Sequence, residues 1–242
     1  MMKSVAQGAP KPPTLPGQPP IEEFNHELTG DYDERLVLLK APDSPRAAAF
    51  RVLRHKVTSA GKPRAILVTS PGPGEGKTLC ATNLALALAE AGRSKVLLIE
   101  ANIRSPSLAH TFGFSPPWCL AEQLVAHRDK PITPWKLVSI SPGNLHVGAL
   151  DPVVEHSNVF DSTAFAVAME RFRAANYEHI VIDGPQVLGS AEVNLMQDSC
   201  DCVLFTGFAG KASARALRQS AEQLAPTEIL GFAMIDGVVK VR

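Results

Sequence analysis

The chain has 242 residues, with 24 basic and 24 acidic side chains and a hydrophobic content of 45%. That length can bury the core of one large domain, and the balanced charge gives no reason to expect a nucleic-acid partner. No apolar run approaches the ~20 residues of a membrane helix, and the N-terminal MMKSVAQGAPKPP lacks the apolar stretch of a secretory signal, so a cytoplasmic protein is expected.

Residues 1–40 read as a proline-rich disordered tail and linker, with six prolines in the first twenty positions. Residues 41–242 read as one domain. SPRAAAFRVLRHKV (44–57) predicts a helix, with Ser44 as N-cap, Pro45 in the first turn, and Phe50, Leu53 and Val57 at helical spacing. From residue 64 short apolar runs alternate with helical patterns. Strands are predicted at 65–70, 95–100, 144–150, 179–183, 201–208 and 229–235. Helices are predicted near 77–91, 105–112, 119–127, 161–174, 191–198 and 212–224. Several strands are apolar throughout, which suits strands covered on both faces. The expected fold is α/β: a mostly parallel sheet with helices on both faces, of P-loop NTPase type.

Three segments carry chemistry. SPGPGEGKT (70–78) joins a strand to a helix. Gly72, Gly74 and Gly76 allow positive φ angles and close approach to phosphate oxygens, while successive N–H groups and the helix N-terminus favour an anion. Gly72, Pro73, Gly74, Glu75, Gly76, Lys77, Thr78 and Leu79 form the expected nucleotide cradle. Lys77 is assigned to the phosphates and the Thr78 hydroxyl to Mg²⁺. HIVIDGP (179–185) ends an apolar strand on Asp183, a carboxylate at the ligand-binding edge of the sheet that suits a Mg²⁺ contact. VLLIEANIRSP (96–106) puts Glu100, Asn102 and Arg104 at alternate positions, on one side if the chain stays extended. Cys80, Cys119, Cys200 and Cys202 form no CxxC pair and read as reduced and mostly buried. No histidine stands at ligand spacing, and His110 and His127 read as surface or interface residues of helices.

Together these segments resemble the bacterial tyrosine kinases of capsule and exopolysaccharide synthesis, the cytoplasmic ATPase domain of the CpsD/CapB/Wzc type, over about residues 40–238. The family loop is similar to Ser70-x-x-Pro73-x-x-Gly76-Lys77-Thr78, so Pro71 in place of a first glycine is normal there. The resemblance implies ATP or ADP with Mg²⁺ as cofactors, and Lys77, Asp183 and Glu100 as the catalytic set. It implies Thr78, Asp183 and Glu100 around the metal. It also implies a membrane chain-length or co-polymerase protein as partner; without a membrane segment in this chain, that partner is expected to be separate and to recruit the protein to the inner membrane face.

Four departures from the family pattern qualify what is expected. Its two aspartates are Glu100 and Asn102 here, and an asparagine cannot act as a base. Its tyrosine-rich tail is missing: the chain holds only Tyr32, in the acidic segment TGDYDERL, and Tyr177, which reads as structural. Its ring-forming ExxRxxR reads Ala48-x-x-Arg51-x-x-Arg54, which removes half of an intersubunit ion pair and weakens any homo-oligomer. Its proline-rich loop after the middle strand is largely lost in NLHVGALDPVVEHSN, and its base-binding asparagine aligns only loosely with Asp236. Three functional readings stay open: a tyrosine kinase controlling polysaccharide synthesis or export, with weak or no autophosphorylation; a pseudokinase scaffold that binds nucleotide; and a partitioning-type ATPase switch. Gly72, where the partitioning enzymes carry a second lysine, disfavours the last.

Overall fold

The computed structural model describes residues 21–29, 32–61, 63–90, 92, 94–130, 133–141, 143–153, 162–211 and 213–235. The expected tail over 1–20 and Asp236 lie outside them. In chain order the elements are β1 (Ile21–Glu27), α1 (Val37–Lys40), α2 (Pro45–Ser59), β2 (Ala65–Thr69), α3 (Lys77–Ala89), β3 (Val96–Glu100), α4 (Leu108–Phe112), α5 (Leu120–Asp129), β4 (Trp135–Ser141), β5 (Leu145–Gly148), α6 (Ser162–Ala174), β6 (His179–Asp183), α7 (Glu192–Gln197), β7 (Cys202–Phe208), α8 (Ala214–Gln223) and β8 (Ile229–Ile235).

One eight-stranded sheet runs in the order β1-β4-β5-β3-β6-β2-β7-β8. Every neighbouring pair is parallel except β4 and β5. The sheet is covered on both sides, as the unbroken apolar strands require. Ile66, Val68, Leu98 and Val181 pack with α3 on one face, while Leu67, Leu97, Ile180 and Ile182 pack with α6 on the other. The alanine-rich α3 is buried along nearly its whole length, because small side chains let a helix lie close against a sheet.

Two strands were not expected. β1 falls inside the segment read as tail. Its sequence, IEEFNHE, is acidic and mostly exposed, and it joins the sheet through backbone pairing to β4 rather than through an apolar face. The tail boundary at residue 40 is therefore corrected, since residues 21–27 and 37–40 are part of the fold. β4, WKLVSIS, does carry a signal, with Trp135, Leu137, Val138 and Ile140 buried.

Helix α2 forms as its sequence predicts. Ser44 Oγ accepts the Ala47 N–H at 3.2 Å, and Val57 is fully buried. Arg51 and Arg54, the two arginines of the Ala48-x-x-Arg51-x-x-Arg54 segment, are held within the chain. Arg51 donates to both oxygens of Glu90 and to Pro42 O, and Arg54 to Ala87 O and Glu90. The Arg51 guanidinium holds the Glu90 carboxyl below its ordinary value, with burial opposing. His127 also departs from expectation. It is buried and stacked on Trp135 with ring centroids 3.6 Å apart, and its ring nitrogens face Gln123 O and Thr133 O.

Candidate nucleotide site

The parallel strands β3, β6, β2 and β7 end at one edge of the sheet, and that edge collects the expected site residues. Register places Asp183 beside Glu100 on one side and Val68 on the other. The loop after β2 therefore starts next to Asp183. Its amides lead into α3, whose first residue is Lys77. Gly74 and Gly76 take left-handed φ values of 64° and 80°, which an L side chain adopts only with strain. Gly72 does not need positive φ, contrary to expectation. Pro73 and Gly74 are exposed on the loop, Pro71 is buried beneath it, and Leu79 sits in the first turn of α3.

Lys77, Thr78 and Asp183 converge. Thr78 Oγ1 donates to Asp183 Oδ2 at 2.7 Å across 105 residues of sequence. Asp183 is fully buried, and its Oδ1 has no hydrogen-bond partner. Lys77 is 8% exposed. Burial pulls its ammonium below the ordinary lysine value, against the attraction of Asp183 and Glu75. Burial pushes the Asp183 carboxyl up to about 7, helped by nearby Glu100 and opposed by Thr78 and Lys77. An orphaned buried carboxylate oxygen beside a threonine hydroxyl fits a hard divalent cation, whose ligands are oxygens. Mg²⁺ would find Thr78 and Asp183 there.

The raised Asp183 value has a testable consequence. The fold favours the protonated carboxyl, so Asp183 adds stability below its unfolded value near 3.8, and that contribution is lost as pH rises through about 7. Asp183→Asn cannot ionise. In the ligand-free protein its stability relative to wild type is expected to climb between about pH 4 and 7 and then level off. Urea denaturation across that range checks this, and a pH-independent difference would contradict it.

Glu100 plays a different part from the expected metal ligand. Its Oε1 accepts the N–H groups of Ser107 and Leu108, and its Oε2 accepts Leu150 N–H at 2.9 Å. Both oxygens are thus engaged by backbone, tying the end of β3 to α4 and to the segment after β5. Burial raises its pKa, with the three amides opposing. The chain also turns after Glu100 instead of staying extended: Ser105 N–H donates to Asn102 O, and Asn102 Nδ2 to Ser105 O at 3.4 Å. Arg104 swings away to Glu192 Oε1 at 2.9 Å. Asn102 remains near the edge, because Ala101 N–H donates to Asp183 O.

Of the two tyrosines, Tyr177 is fully buried and its hydroxyl bonds His146 Nδ1 at 2.7 Å. Tyr32 is partly buried rather than fully exposed, with Lys40 Nζ 4.2 Å from its ring centre. Residues missed in the sequence also shape the loop. Thr206 Oγ1 donates to Glu75 O at 2.9 Å, and Lys211 Nζ lies 3.3 Å from Gly74 O. Thr206 is a polar residue inside an apolar strand, and that was the available signal.

No protein-family model matches the chain. Among curated proteins it is 24% identical over 204 residues to the tyrosine-protein kinase YwqD of Bacillus subtilis, covering 82% of this chain and 84% of that protein. It is 26% identical over 207 residues to the succinoglycan biosynthesis transport protein ExoP of Rhizobium meliloti, covering 82% of this chain but 26% of ExoP. Among solved structures the chimerical protein CapA2B2 superposes with a TM-score of 0.73 at 23% identity, over 93% of this chain and 96% of that one. The septum site-determining protein MinD with Mg-ADP from Pyrococcus horikoshii superposes at 0.57 and 21%, over 70% and 68%. These likenesses show the fold: a mostly parallel α/β sheet of the kind seen in CapA2B2 and MinD. Among the described residues no helix is long and apolar enough to cross a membrane. By sequence the chain is similar to proteins named tyrosine-protein kinases, and its fold is similar to that of a tyrosine kinase domain from Escherichia coli and of MinD.

Proposed function

We propose that this chain binds ATP or ADP with Mg²⁺ and regulates polysaccharide synthesis or export as a nucleotide-dependent partner of a membrane chain-length protein, with weak or no phosphotransfer of its own. The observation that carries the nucleotide reading is the convergence of Lys77, Thr78 and the orphaned Asp183 Oδ1 behind the glycine loop. In this reading the loop amides and Lys77 hold the phosphates, and Thr78 and Asp183 hold the metal. Bound Mg²⁺ would neutralise phosphate charge. The name of one relative, a succinoglycan biosynthesis transport protein, supports the polysaccharide setting.

Weak phosphotransfer follows from Asn102. An amide accepts no proton, and Glu100 has both oxygens engaged by backbone. Loss of a positioned base typically lowers a rate by about 10²–10⁴. Asn102→Asp is therefore expected to raise phosphotransfer to a tyrosine substrate by roughly 10²-fold or more. ADP affinity should stay within about threefold of wild type, a difference under ~0.7 kcal/mol. Phosphotyrosine detection and ADP titration on the two proteins check this, with and without the cytoplasmic segment of a membrane partner. No gain in transfer would remove the missing carboxylate as the cause of low activity.

A further inference from the structure

Glu75 is a carboxylate in the middle of a loop that is read as an anion cradle, and it is only 7% exposed. The charge turns back along the loop. Gly72 N–H donates to Glu75 Oε2 at 3.3 Å, and a Cβ added to Gly72 would lie 3.7 Å from Glu75 Oε1. The backbone at Glu75 is itself fixed, since Thr206 Oγ1, buried in β7, donates to Glu75 O at 2.9 Å.

These contacts join two halves that differ in their main anchors, with Thr206 Oγ1 also 3.4 Å from Thr69 O at the end of β2. The first half is held by the segment after β6: Val187 N–H donates to Ser70 O at 2.9 Å and Leu188 N–H to Pro71 O at 3.1 Å. The second half is held by β7 and the turn that follows it, through Thr206 on Glu75 O and Lys211 Nζ facing Pro73 O and Gly74 O. Pro71 has no N–H to offer, so Gly72 carries the first amide N–H of the loop after Ser70. Glu75 reaches from the half held by β7 to that amide.

We propose that Glu75 is a positioning residue for the nucleotide site: its carboxylate locks the Gly72 amide to the Thr206-anchored half of the loop and so sets the cradle before ligand arrives. The proposal rests on the nucleotide-binding reading of the same loop. A shape set in advance binds more tightly because less ordering remains to be done on binding. The hydrogen bond is what matters, so a neutral acceptor should serve nearly as well as the carboxylate. A competing role, with Glu75 as an internal stand-in for phosphate, makes the opposite prediction, because removing it would free the cradle.

The test compares wild type, Glu75→Gln and Glu75→Ala in the full chain. One readout is MgADP affinity by fluorescence or calorimetry. The other is amide hydrogen exchange of peptides spanning 70–78 in the nucleotide-free protein. Loss of the bond in Glu75→Ala is expected to weaken MgADP binding roughly tenfold and to speed exchange in the loop. Glu75→Gln should stay within about threefold of wild type, because the side-chain amide oxygen can still accept from Gly72. Unchanged or tighter binding by Glu75→Ala would overturn the proposal, as would unchanged exchange. If the wild type itself bound no MgADP, the nucleotide reading would fall, while the exchange comparison would still decide whether Glu75 braces the loop.

Discussion

Glu100→Ala is expected to destabilise the protein by about 3–6 kcal/mol, enough to leave a marginal domain largely unfolded. Glu100 is fully buried, and its two oxygens receive three backbone N–H groups, from Ser107, Leu108 and Leu150. Alanine leaves those donors without their acceptor in a region with little water, at about 1–3 kcal/mol for each one left unsatisfied. It also frees the end of β3 from α4 and from the segment after β5. Part of the loss is returned, because the buried charge carries its own desolvation cost, seen in the raised pKa. Glu100→Gln keeps the shape but turns a donor toward donors, so it should fall between wild type and alanine. Urea denaturation at pH 7 measures all three. A loss under about 1 kcal/mol for alanine would show that the carboxylate is not the anchor its contacts describe.

Lys77→Met is expected to do the reverse, removing binding and sparing the fold. Lys77 is held at the first position of α3, next to Thr78, whose hydroxyl donates to Asp183. A charge-assisted contact from a partly desolvated ammonium to phosphate contributes more than a neutral hydrogen bond. Losing it should weaken MgADP at least 100-fold, about 2.8 kcal/mol. Burial already disfavours the charged lysine, and methionine fills similar space without charge. The thermal midpoint of the ligand-free variant should therefore match or exceed that of wild type. Binding lost together with stability would instead point to a structural lysine.

Much of this architecture was legible because parallel strands buried on both faces read as unbroken apolar runs. AILVT and HIVID are buried at every position, and β8 spans the expected 229–235. The loop was legible for a related reason, since a strand, a glycine-rich turn and Gly-Lys-Thr follow one another without a gap. What stayed hidden depends on distant parts of the chain. β1 is an acidic edge strand whose reason to exist is the backbone of β4, more than 100 residues away. Glu100 was expected at the metal because it stands where the resembled family has an aspartate, but which amides fold over a carboxylate is not written locally, and here they come from residues 107, 108 and 150. Asn102, Arg104 and Glu100 shared a side only on the assumption of extended chain, and the turn at 102–105 separates them. Arg51 and Arg54 lacked a partner within their own helix and found one in Glu90, at the end of α3.

In the proposed reading the nucleotide cradle is intact while the base is missing. The decisive experiment equilibrates the wild-type protein with Mg²⁺ and γ-labelled ATP and counts the same sample twice, once for label held non-covalently and once for label transferred to tyrosine. ATP should be retained saturably, with transferred phosphate at least about 10²-fold below the amount bound over the same period. Stoichiometric phosphotyrosine on the wild type would contradict it, because the chemistry would then be proceeding without a carboxylate at position 102.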